Sequence, residues 1–142
     1  MLYVLYNYSY MKIGLFISDD PILPEPILTR ATDFLRENGI NYVIHPSTLQ
    51  AVTARDKAAI IHDYLNDESV DVLMAFWGGT KTIEMLKYLD FDLINIQNKP
   101  IIGYSDTTSL LQAVASKTSA PVYHGAALIS FAKQLFREDS LN

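Results

Sequence analysis

No cysteine occurs in the 142 residues. That excludes disulfides, thiol nucleophiles and thiolate-held metals. Charge is scarce as well: charged residues make up 19% and the net charge is -5, so the basic face of a general nucleic-acid binder is missing. No apolar run reaches the ~20 residues of a membrane span. Residues 1–10 are apolar but lack a basic flank and a small-residue cleavage site, so they do not read as a signal peptide. They read instead as an extension ahead of a natural start at Met11. Repeats, linkers and low-complexity tracts are lacking. The lack of cysteine leaves the compartment open and nothing contradicts a cytoplasmic one; the expectation is a cytoplasmic protein with no cofactor, no metal, no nucleic acid and no membrane.

What is present is a core. Apolar residues make up 49%, enough for one globular domain of this length. Lys12 to Ser18 is a mostly apolar run of the kind buried on both faces of a sheet. Glu25 to Asn38 has a helical period, with Ile27, Ala31, Phe34 and Leu35 inward and Asn38-Gly39 as a stop. Ile40 to His45 is a second strand. Thr53 and Asp56 form a capping-box pattern for a helix to about Asn66, with Ala58, Ile61 and Leu65 inward. Val70 to Phe76 is a third strand, followed by a Gly78-Gly79 loop and a helix over 80–89 with Ile83, Leu86 and Leu89 inward. Ile101 to Tyr104 is a fourth strand. It leads into a helix over 106–117 whose inner face carries Leu110, Leu111, Val114 and Ala115. Ala120 to Tyr123 is a fifth strand, and 126–137 has a helical pattern.

Strands alternating with helices imply right-handed βαβ units. The expected fold is a doubly wound α/β domain with a mainly parallel five-stranded sheet in the flavodoxin-like order 2-1-3-4-5. Ligands of such sheets bind beyond the carboxyl ends of the strands. Two unusual loops fall there: Gly78-Gly79 after the third strand and Ser105-Asp106 after the fourth. Those strands would be neighbours, about 4.8 Å apart. A serine at a strand-to-helix turn is where α/β hydrolases place a nucleophile, and it is also an ordinary way to begin a helix. Thr107 stands where the second glycine of a G-x-S-x-G turn would be. A glycine N–H and the Asp106 N–H could converge on one oxyanion beside Ser105. Gly78-Gly79 is equally consistent with a plain strand-to-helix turn.

A serine nucleophile needs a base. Of the three histidines, His62 falls mid-helix on the expected surface, and His45 ends a strand roughly 14 Å from the fourth. His124 ends the neighbouring fifth strand, where it reads either as a base or as a cap or core residue. The acidic pair Asp19-Asp20 after the first strand also fits a receiver-type metal site. That site would need an aspartate where Phe76-Trp77 stand.

From Gly78 to Gly125 the sequence resembles the LD-carboxypeptidases, the muramoyltetrapeptide carboxypeptidases, of which the microcin-immunity serine peptidases are relatives. The residues that carry the likeness are Gly78-Gly79, Leu89-Asp90-Phe91-Asp92-Leu93-Ile94, Lys99-Pro100-Ile101-Ile102-Gly103-Tyr104-Ser105-Asp106-Thr107-Thr108 and His124-Gly125. The likeness extends over about 12–130. It implies a three-layer sandwich of the type shared with class I glutamine amidotransferases, with residues 11–142 as the nucleophile domain. The implied nucleophile is Ser105. The implied oxyanion hole is the N–H of Gly78 or Gly79 together with that of Asp106. Trp77, Thr80, Tyr104 and His124 fall on the substrate side. The family's glutamate and histidine lie in a C-terminal domain, which this chain is expected to lack, and His124 becomes a structural motif residue.

Three positions depart from the family pattern. Ile83 replaces the usual Asn or Arg, Ala126 replaces a proline, and Asp19-Asp20-Pro21 replaces small serines. The implied activity is hydrolysis of an L,D-amide bond near a free carboxyl end of murein-type peptides, with the isolated chain inactive. The implied partners are a peptide or murein fragment, a separate C-terminal domain or chain, and a second copy of the chain through Trp77, Tyr104 and Tyr123. The alternative is a non-catalytic binding module, or gene remnant, that keeps only the fold.

Overall fold

A computed structural model describes residues 10–19, 24–51, 53–125 and 127–132. Five strands, β1 (Lys12–Phe16), β2 (Asn41–Ile44), β3 (Val72–Ala75), β4 (Ile101–Gly103) and β5 (Val122–His124), form one sheet in the order β2-β1-β3-β4-β5. Every neighbouring pair is parallel. Parallel pairing forces a crossover between strands, and the helices that make the crossovers bury both sheet faces. That is why β1 and β3 are almost wholly buried.

Helix α1 (Glu25–Glu37) turns Ala31, Thr32 and Leu35 inward, and Gly39 ends it at a positive φ of 68°. Its Phe34 stacks on Phe131, with ring centroids 5.1 Å apart, so residues 128–132, which are helical, lie beside α1. The rest of the expected last helix, Ala126 and 133–137, falls outside the described residues.

Helix α2 (Ala54–Asn66) begins at the expected capping box: Thr53 Oγ1 accepts from Asp56 N, and Asp56 Oδ2 accepts from Thr53 N. It packs on β1 where Gly14 leaves room, since a Cβ there would lie 2.9 Å from the Tyr64 ring. The Tyr64 hydroxyl accepts from His45 N and lies 3.0 Å from Leu15 O and 3.2 Å from Val43 O, so it bridges the ends of β1 and β2. At the far end of α2, Lys99 Nζ donates to the carbonyls of Tyr64 and Asp67. These are terminal carbonyls that a helix cannot satisfy internally.

The stretch after β3 differs from the expected single helix. Helix α3 (Thr82–Met85) lasts one turn and tightens into a 3₁₀ turn at Leu86–Tyr88. Thr82 and Met85 form the buried side of α3, so Ile83 faces outward at 66% exposure, while Leu89 beyond the 3₁₀ turn stays inward. A helix that the strand-and-helix pattern had not assigned follows: α4 (Phe91–Gln97), N-capped by Asp90 and closed by Asn98 at φ 51°. His62 is half-buried rather than on the surface, and its Nε2 accepts from Asp90 N. Helix α5 (Thr108–Lys117) buries Leu110, Leu111 and Val114 but leaves Ala115 exposed.

Candidate functional site

The short β4 ends at Gly103, and the chain must reverse quickly into α5. It does so through a 3₁₀ turn, Ser105–Thr107. Thr107 is fully buried, and its Oγ1 accepts from Tyr104 N at 2.8 Å and donates to Tyr104 O. The turn is therefore closed by a side chain where a G-x-S-x-G turn relies on a second glycine. Gly103 makes room for it, because a Cβ there would lie 2.5 Å from Thr107 Oγ1.

Tightening the turn forces Ser105 to a φ of 55°. A non-glycine residue in the left-handed region carries about 1–3 kcal/mol of strain, held in place by the surrounding structure. Ser105 is exposed, and among the described residues no group is hydrogen-bonded to its Oγ.

The second loop leaves β3 through Phe76, Trp77, Gly78 and Gly79. A Cβ on Gly78 would lie 2.7 Å from Ser105 Cβ, 3.0 Å from Ser105 Oγ and 3.2 Å from Asp106 N. Gly78 thus sits directly against the serine and the following amide, and only glycine fits there. The Asp106 carboxylate ties the loops together by accepting from Thr82 N at 2.8 Å.

Asp19 completes the arrangement. Its Oδ2 accepts from Thr80 N at 2.6 Å, and a Cβ on Gly79 would fall 2.0 Å from that oxygen. Gly79 has a φ of 135°. The carboxylate therefore fixes the glycine loop from the β1 side. From sequence, Asp19 stands out only as half of an acidic pair suited to a receiver-type metal site and as a departure from the family pattern; its contact with Thr80 spans 61 residues, and no local signal points to it. Asp20 and Pro21 fall outside the described residues.

A groove of about 350 Å³ opens over Ser105, walled by Trp77, Tyr104, Ile27 and Ile129, with Gly78 and Gly79 at its floor. Trp77 and Tyr104 are thus together, and Tyr123 is not with them: it lines a separate apolar cavity with Ile13, Met74 and Ile102. Thr80 is exposed at the rim, held by Asp19. His124 is exposed at the end of β5, in register with Gly103. The other histidines are engaged elsewhere, His45 with Asp63 and Ser47 and His62 with Asp90. Among the described residues no group of three or more His, Asp or Glu could hold a metal ion, and no helix is long and apolar enough to cross a membrane.

Residues 17–125 match the family model for the LD-carboxypeptidase N-terminal domain. The microcin C7 self-immunity protein MccF of Escherichia coli is 31% identical over 124 residues, which are 82% of this chain and 36% of MccF. The structure of wild-type MccF in its apo state superposes with a TM-score of 0.82 at 30% identity, over 87% of this chain and 39% of that one. A muramoyltetrapeptide carboxypeptidase from Oxalobacter formigenes superposes with a TM-score of 0.72 over 83% of this chain and 40% of that one. At 22% identity, that likeness is one of fold. The chain spans well under half the length of each of these relatives.

Proposed function

From the premise that the chain belongs to the LD-carboxypeptidase family, matching its N-terminal domain, we propose that it carries the nucleophile half of a serine peptidase. The bond cleaved is an amide between an L- and a D-amino acid near a free carboxyl end of a murein-type peptide. Ser105 Oγ attacks the carbonyl carbon. The oxyanion that forms is held by the N–H of Asp106 and an N–H of the Gly78-Gly79 loop. Collapse of the intermediate expels the D-amino acid with a proton and leaves an acyl ester on Ser105, which water then hydrolyses. The base that takes and returns the proton is the glutamate-oriented histidine of the family's C-terminal portion. Trp77 and Tyr104 flank the peptide, and Thr80 and His124 stand at the rim.

One observation supports this reading above the others: Gly78, lacking a side chain, lies against both Ser105 and Asp106 N. Such a convergence gives a helix start no advantage, whereas it is what an oxyanion requires. The strained φ of Ser105 agrees with it, since strain persists where function selects it.

A serine hydroxyl without a base is a poor nucleophile at pH 7. Loss of a triad member leaves about 10³–10⁴-fold over water, from oxyanion hole and binding alone. The 142-residue chain is therefore expected to show negligible turnover of an L,D-linked tetrapeptide. Turnover should appear when the C-terminal portion of a relative is added, and Ser105→Ala should abolish it. Turnover that survives Ser105→Ala would overturn the assignment. Strong turnover by the chain alone, lost in His124→Ala, would make His124 the base instead.

A further inference from the structure

The glycine loop after β3 has little side chain of its own to hold its shape. Phe76 N donates to Phe16 O, which joins the ends of β1 and β3. Beyond that bond the two chains part, and the loop runs through Trp77, Gly78, Gly79 and Thr80. Two successive glycines have more backbone freedom to lose than any other pair of residues. An oxyanion hole cannot use that freedom, because its donors must be aimed before charge develops. Groups outside the loop have to aim them.

Two carboxylates from other elements hold the loop. Asp19 Oδ2 accepts from Thr80 N at 2.6 Å, and Asp106 Oδ2 accepts from Thr82 N at 2.8 Å. The N–H groups of Thr80 and Thr82 are thereby taken up. Gly78 and Gly79, just before them, donate to no backbone carbonyl among the described residues. Asp106 adjoins Ser105, so its grip belongs to the nucleophile turn itself. Asp19 comes from the opposite side. Ile17 and Ser18, which lead into it from β1, are each 1% exposed, so the carboxylate stands on a fixed base. It also lies against Gly79: at a φ of 135° a side chain there would overlap it.

We propose that Asp19 is a positioning residue for catalysis: by holding Thr80 N, it keeps the Gly78-Gly79 peptide groups in the orientation that the oxyanion requires. The inference rests on the peptidase reading given above. The useful property of Asp19 is its acceptor oxygen and not its charge, since a carboxylate beside a developing oxyanion opposes it.

The test uses the chain complemented with the C-terminal portion of a relative, and an L,D-linked tetrapeptide. Deleting one oxyanion donor outright lowers kcat by about 10²–10³, and Asp19→Ala, which only loosens one, should lower it about tenfold with KM little changed. Asp19→Asn keeps an acceptor oxygen and should recover most of that loss. In the chain alone, Asp19→Ala should speed hydrogen exchange at Thr80 N, and Asp19→Asn should not. Thermal unfolding of each variant checks that the fold is intact. A normal kcat in Asp19→Ala would overturn the proposal and leave the peptidase reading standing. So would an equal loss in Asp19→Asn, which would make the charge responsible, or an effect confined to KM, which would make Asp19 part of the substrate wall. Absence of turnover in the complemented wild-type chain is a separate result: it would overturn the peptidase reading, and this proposal with it.

Discussion

Ser105 shows how one backbone angle separates stability from chemistry. Its φ of 55° suits glycine and penalises any residue with a Cβ. Ser105→Gly should therefore raise stability over Ser105→Ala by about 1 kcal/mol, measured by urea unfolding, while both lack the hydroxyl. A glycine variant less stable than the alanine one would show that the turn is not strained. Gly78 is the complement. Gly78→Ala drives a methyl to 2.7 Å from Ser105 Cβ, and overpacking of that kind destabilises by about 1–3 kcal/mol. In the complemented enzyme its effect should fall on kcat, because the donors move while the groove walls remain. A normal kcat would remove Gly78 from the oxyanion site. Neither the angle nor the contact could be read from sequence. The serine, the glycines and their loops were legible as residue types at a sheet edge, but the strain exists only once Thr107, Gly103 and Gly78 have met. Asp19 was harder still, because its contact with Thr80 is non-local and its own neighbours carry no pattern.

At the scale of elements, the legible parts were those with local signatures. The capping box at Thr53 and Asp56 and the stop at Asn38-Gly39 stand where the sequence placed them. Thr53→Ala should cost about 1 kcal/mol. Hydrogen exchange in the first turn of α2 would register it; unchanged protection there would refute the cap's importance. Helix α4 lacks such clarity, having seven residues and one fully buried side chain, Ile94. Its signals were Asp90 before it and Asn98 after it, and the apolar period between them is too short to stand out. Ile83 was misplaced because the inward face was read along Ile83, Leu86 and Leu89, three residues apart, whereas α3 buries Thr82 and Met85. Lys99, first residue of the Lys-Pro-Ile-Ile-Gly-Tyr-Ser-Asp run, holds the end of α2 through two carbonyls. Part of that run thus serves the scaffold and not the site.

Across the whole molecule, five apolar runs in alternation with helices were enough to give the sheet order, since parallel strands joined by right-handed crossovers leave few arrangements. Tyr64 ties that sheet to α2, and burial pushes its hydroxyl up to about 12. An unfolded tyrosine ionises near 10, so between these values the unfolded chain releases the proton first. Stability from Tyr64 is therefore fully present below pH 10 and declines as pH rises toward 12. Tyr64→Phe should lower stability at pH 7 and flatten that alkaline decline; an equally steep decline in the variant would show that other groups cause it. The strand order also has a consequence in time. Lys12, at the start of β1, bonds the side chain of Asp71, which is 59 residues later and just before β3. At about 5–20 residues per second of synthesis, a nascent β1 waits roughly three to twelve seconds for its inner neighbour. Throughout that wait a strand built for burial on both sides is left open to aggregation.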